Sequence, residues 1–67
     1  MQAETAALIR RAKRYARAAG IAESSASLRI FNNGMRLKAI QSGSRMWPGT
    51  VEAANAKLDQ LEKELET

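Results

Sequence analysis

The sequence predicts an all-α fold, a compact domain of three to four helices. Two observations predict it. Apolar residues recur at steps of three and four in residues 3–19 and again in 50–65, which is the helical period. The breaks fall on Gly20, on Asn33–Gly34 and on Gly43, residues that punctuate helices.

Composition narrows the function classes. Sixty-seven residues make a single domain, 1–67, and a chain this short buries only about 60% of the surface its unfolded form exposes, so help from a partner subunit is expected. With no Cys and no His, disulfides, Cys/His zinc sites and every catalytic arrangement built on a His base or a thiolate are excluded. The isolated Ser and carboxylate residues show no activating partner, so the chain reads as not an enzyme, with no cofactor, no metal and no small-molecule ligand. No apolar run approaches a membrane span and no signal-type stretch opens the chain. The expected location is the cytoplasm, with no membrane partner.

The net charge of +4 is unevenly spread. Residues 1–49 hold nine basic residues (Arg10, Arg11, Lys13, Arg14, Arg17, Arg29, Arg36, Lys38, Arg45) against Glu4 and Glu23, a net of +7. Residues 50–67 hold Lys57 and Lys63 against Glu52, Asp59, Glu62, Glu64 and Glu66, a net of −3. A polyanion would meet the first three-quarters of the chain and avoid the rest. The plainer alternative is that these cations only solvate helix faces.

The first helix is expected over residues 3–19, with Gln2 or Thr5 as its start. Ile9, Ala12, Ala16 and Ala19 make its apolar face, widened by Leu8 and Tyr15. Arg10, Lys13, Arg14 and Arg17 recur at i, i+3, i+4 and i+7 on the other side, where they could follow one phosphate strand. Gly20 supplies the left-handed turn and Ile21 a buried staple behind it. A second helix then runs over about 23–32 with Ala26 and Ile30 inward and Ser27 and Phe31 alongside. The spacing Ala16, Gly20, Ile21, Ala26, Ile30 suits a DNA-binding helix-turn-helix.

The outer face of that second helix carries Ser24, Ser25, Leu28, Arg29 and Asn32, the base-reading candidates. Arg can donate twice to guanine O6 and N7, Asn can bridge adenine N6 and N7, and Ser or Leu can touch phosphates or a thymine methyl. Leu28 is open between DNA contact, ordinary surface and buried core. The phosphate-binding candidates are Arg10, Lys13, Arg14, Arg17, Arg36, Lys38 and Arg45.

Asn33 and Gly34 stop this helix, with Gly34 placed for positive φ. A third helix, 35–42, packs Leu37 and Ile40 inward and ends at Gly43. In the loop Ser44 to Gly49, Trp47 is expected to close the core, since stacking on bases is commoner in proteins with several aromatics. The last helix, 50–65, starts at Thr50 as N-cap with Glu52 near the positive helix end, or alternatively at Pro48. Val51, Ala54, Leu58, Leu61 and Leu65 are spaced 3, 4, 3 and 4, an apolar seam over two heptads. Part of it can pack on the first helix, but Leu61 and Leu65 reach beyond what so short a domain easily buries, so this seam is the expected homodimer interface; a frayed end is the alternative.

The segment GIAESSASLRIFNNGMRLKAIQSG is similar to the pattern GLSESTVSRRVFGDGRRLDRLRSG of small helix-turn-helix proteins from proteobacteria and their phages. With WPGTVEAANAKL the likeness covers about residues 7 to 60, matching at Gly20, Ile21, Glu23, Ser24, Ser25, Ser27, Ile30, Phe31, Gly34, Leu37, Ile40 and Gly43. The resemblance implies a transcriptional regulator, often of its own operon on a mobile element, laid out like the autorepressors that accompany anti-CRISPR genes. Two departures stand out. Ala22 replaces a Ser helix cap, at about 1 kcal/mol of local stability unless Ser24 takes the role, and Leu28 replaces a basic residue.

Residues and resemblance together predict a dimeric autorepressor that reads an inverted-repeat operator in double-stranded DNA with its second helix in the major groove. The alternative is a protein-interaction module such as an antitoxin, holding a partner protein through the last helix.

Overall fold

The structure, a computed structural model, describes residues 3–43 and 45–66. It is all-α: α1 is Ala3–Ala19, α2 Glu23–Phe31, α3 Arg36–Gln41 and α4 Pro48–Glu66. Gln2, a possible helix start, and Ser44, the expected first residue of the loop, lie outside the described residues. Thr5 does not begin α1; it is buried inside it.

The ends of α1 and α2 show why the chain turns where it does. Gly20 adopts φ +68°, and its N–H donates to the Arg17 carbonyl at 3.2 Å while the Ile21 N–H donates to the Ala16 carbonyl at 3.0 Å. This pair of bonds is the Schellman arrangement, which a residue without Cβ closes most cheaply. Ile21 is half-buried against the core rather than fully enclosed. Helix α2 starts after Ala22 with no side-chain cap, so Ser24, inside the helix, does not substitute for the missing hydroxyl.

The second turn differs from the expectation. Asn32, not Gly34, takes the left-handed conformation, at φ 58°, and its N–H closes on the Leu28 carbonyl at 2.8 Å. Asn tolerates this region better than other side chains, so α2 stops at Phe31 and Asn32 is its cap. Gly34 instead passes close to α2, where an added Cβ would lie 3.6 Å from the Ser24 carbonyl oxygen. Met35 and Ser42, expected within the third helix, flank α3 as its caps.

The core takes Leu8, Ala12 and Tyr15 from α1, Ala26 and Ile30 from α2, Leu37 and Ile40 from α3, and Val51, Ala54, Leu58 and Leu61 from α4. Trp47 is not part of it. The residue is 68% exposed, while the neighbouring Met46, 6% exposed, belongs to the core; an unbranched thioether packs adaptably where a rigid indole would have to be matched in shape. Trp47 serves α4 through its backbone instead, its carbonyl accepting from the N–H groups of Thr50 at 3.0 Å and Val51 at 3.1 Å. Helix α4 therefore starts at Pro48, a residue whose fixed φ and missing N–H suit a first turn. Thr50 lies within the helix and is not its N-cap.

Helices α1 and α4 run parallel. Ala3 and Glu4 line one groove with Pro48, Val51 and Glu52, while Arg14, Tyr15 and Ala18 line another with Glu62, Leu65 and Glu66. Two helices that lie side by side in the same direction need a crossover, and α2 and α3 provide it, both packing on α1.

Candidate nucleic-acid interface

The α4 seam lies in the chain's own core. Val51, Ala54, Leu58 and Leu61 are all buried, Leu58 completely, and only Leu65 stays exposed, at 44%. A parallel α1 covers nearly the whole length of α4, more than expected of so short a domain. The five-residue seam is therefore not a ready dimer interface, and Leu65 is its one accessible member.

Arg11 explains how the acidic helix and the basic helix coexist. Its guanidinium donates through Nε to both carboxylate oxygens of Glu62 at 3.2 Å, through Nη1 to the Asn55 side-chain oxygen at 3.0 Å, and through Nη2 to Asp59. The hydrogen bonds it donates to Glu62, then to Asp59, raise the Arg11 pKa further above its already high ordinary value. Two of the α4 carboxylates are thus occupied against α1. The helical spacing already left Arg11 off the strip of Arg10, Lys13, Arg14 and Arg17; its place on the flank of the apolar stripe, one step from Ala12, was the signal for a contact with another helix.

The remaining α1 cations, Arg10, Lys13, Arg14 and Arg17, are exposed. Their spacing puts them on one strip opposite the buried face. Around α3, Lys38 and Arg45 are exposed while Arg36 is half-buried, donating through Nη2 to the Arg45 carbonyl at 3.3 Å. That bond brings two predicted phosphate ligands from separate segments side by side.

Part of this geometry is held by one buried hydroxyl. Ser27, with no exposed surface, donates from Oγ to the Asn33 carbonyl at 2.6 Å and accepts from the Leu37 N–H at 2.9 Å. It thereby ties α2, the turn and the first residues of α3 into one unit. The Asn33 side chain closes the same turn by accepting from the Met35 N–H at 2.9 Å. Across the groove between α2 and α3, Gln41 donates to Glu23 at 3.1 Å, and Ser24 and Lys38 line the same groove. Two residues expected to meet DNA by different chemistry are therefore neighbours.

No known protein family, curated protein or solved structure matches the chain. The interface has to be argued from its own residues.

Four of the five base-reading candidates, Ser24, Ser25, Leu28 and Arg29, lie exposed on α2. Leu28 is 54% exposed, which removes the buried-core reading. Asn32 is the exception: as the left-handed cap it has left the helix, so its side chain no longer follows the Ser25–Leu28 line. Arg29 differs from the others in being held, since its Nη1 donates to the Tyr15 hydroxyl at 3.1 Å. Among the described residues no helix is long and apolar enough to cross a membrane.

Proposed function

We propose that this chain is a sequence-specific double-stranded DNA-binding transcriptional regulator, a dimeric autorepressor that lays α2 in the major groove. The observation that carries this reading is the combination on one small scaffold of a Ser27-locked helix–turn–helix and an exposed Ser25–Leu28–Arg29 face with a strip of four α1 cations. Ser, Leu and Arg are side chains that contact phosphates, thymine methyls and guanine edges, while the cations match a phosphate strand. The occupied Arg11–Asp59–Glu62 cluster keeps two carboxylates turned toward α1. A nine-residue α2 reads few base pairs, so affinity calls for two copies on half-sites about 34 Å apart, an inverted repeat. The alternative, an antitoxin-like module, relied on an apolar seam of which Leu65 alone is exposed.

The test is the salt dependence of binding to duplex DNA carrying the region upstream of the gene. Each lost phosphate contact flattens the slope of log affinity against log salt by about 0.9. Arg14→Ala with Arg17→Ala should therefore flatten it by about 1.8 and weaken all sequences alike. Absence of wild-type binding, or an unchanged slope in the double variant, would overturn the proposal.

A further inference from the structure

Tyr15 is a buried phenol whose hydroxyl is turned to a functional side chain. The residue is 3% exposed, its ring lies in the α1 part of the core, and its oxygen accepts from Nη1 of Arg29 at 3.1 Å. Arg29 itself is exposed on α2. A salt bridge would be the usual anchor for a surface guanidinium, yet Arg29 donates here to an uncharged oxygen. Unlike a carboxylate, the phenol orients the fork without neutralising it.

Resting on the DNA-binding reading above, we infer that Tyr15 is the positioning residue for Arg29, and that the pair selects guanine in the major groove. An Arg side chain has five N–H donors and substantial rotamer entropy. Bidentate recognition of guanine O6 and N7 uses two parallel donors. One Nη1 hydrogen engaged by Tyr15 leaves the second Nη1 hydrogen, both on Nη2 and that on Nε for the base. The fork thus arrives with part of its freedom already removed, at a cost met when the domain folded instead of when DNA binds. Tyr15 sits on α1, so the element carrying the phosphate-binding cations also sets the aim of the reading helix. Its role is indirect: the phenol touches no base.

The experiment is a selection from randomised duplex DNA with the full chain, followed by affinities for the selected and scrambled duplexes. The wild type should enrich a site with guanine at a fixed position in each half, and Arg29→Ala should remove that guanine, lowering the selected-to-scrambled ratio about 5- to 150-fold. Tyr15→Phe keeps the ring and removes the acceptor. It should lower the same ratio roughly 2- to 10-fold, leave binding to scrambled DNA and the salt slope unchanged, and add nothing in the Arg29→Ala background. If Tyr15→Phe lowers the melting temperature but keeps the guanine preference, the contact is only structural and the inference fails while the DNA-binding reading stands. If the wild type enriches no sequence, sequence-specific reading itself fails.

Discussion

Ser27 is the single residue on which the arrangement of the interface depends most. Its hydroxyl accepts from the buried Leu37 N–H and donates to the Asn33 carbonyl across the second turn; that carbonyl also accepts from the Arg36 N–H at 3.3 Å, so it is the Leu37 N–H that is left short when the oxygen is removed. An unsatisfied buried polar group costs about 1 to 3 kcal/mol, so Ser27→Ala, despite filling the same space, should lower stability by about 2 kcal/mol in a thermal or urea melt. A change under 0.5 kcal/mol would mean that water replaces the hydroxyl. The sequence marked Ser27 only as a neighbour of the apolar face, because a Ser at that position looks the same whether it is solvated or bonded to a turn six to ten residues on. Trp47 shows the opposite difficulty. Size and rarity pointed inward, but whether a loop residue is enclosed depends on how two helix ends meet, and here it is Met46 that is buried.

Among the elements, α1 and α2 were the most legible, α1 to the residue at its C-terminal end, because long periodic stripes and a Gly with a left-handed φ are local signals. The short α3 and the start of α4 were less so: a cap is decided by backbone bonds such as those from Trp47 O, not by the residue type at Thr50. The pairing of α1 with α4 was expected only in part, and its strongest polar tie, missed by the sequence, is Arg11, whose contacts reach up to 51 residues along the chain. Its side chain is 23% exposed and Glu62's is 31%, an intermediate setting in which charge-assisted bonds still count. Arg11→Ala should destabilise the domain by about 2 kcal/mol, whereas Arg10→Ala, one residue away and exposed, should stay within about 0.5 kcal/mol. Equal effects at the two positions, measured by urea denaturation, would reject the clamp.

The whole molecule constrains how copies of it can associate. For a domain of this length the total stability is of the order of 3 to 10 kcal/mol. Leu61→Glu would set an unpaired carboxylate in the core, so it should unfold the chain outright, seen as loss of helical circular dichroism. Leu65→Glu should keep the fold, and it is the variant whose sedimentation reports on self-association through this end of α4. If Leu61→Glu retains full helicity, the buried seam has been misassigned. That seam was correctly recognised as apolar and needing cover; what a single sequence does not carry is whether the cover comes from the same copy or another. The parallel α1–α4 pair also sets an order of events during synthesis. Of the four helices α1 leaves the ribosome before α4, against which it buries its face, and Arg11 finds Asn55, Asp59 and Glu62 only after the residues between them have been made. Loop closure of that span must precede its contacts. The nascent α1 thus travels as an uncovered amphipathic basic segment, and a stalled ribosome would present it in that form to chaperones and to the RNA around the exit tunnel.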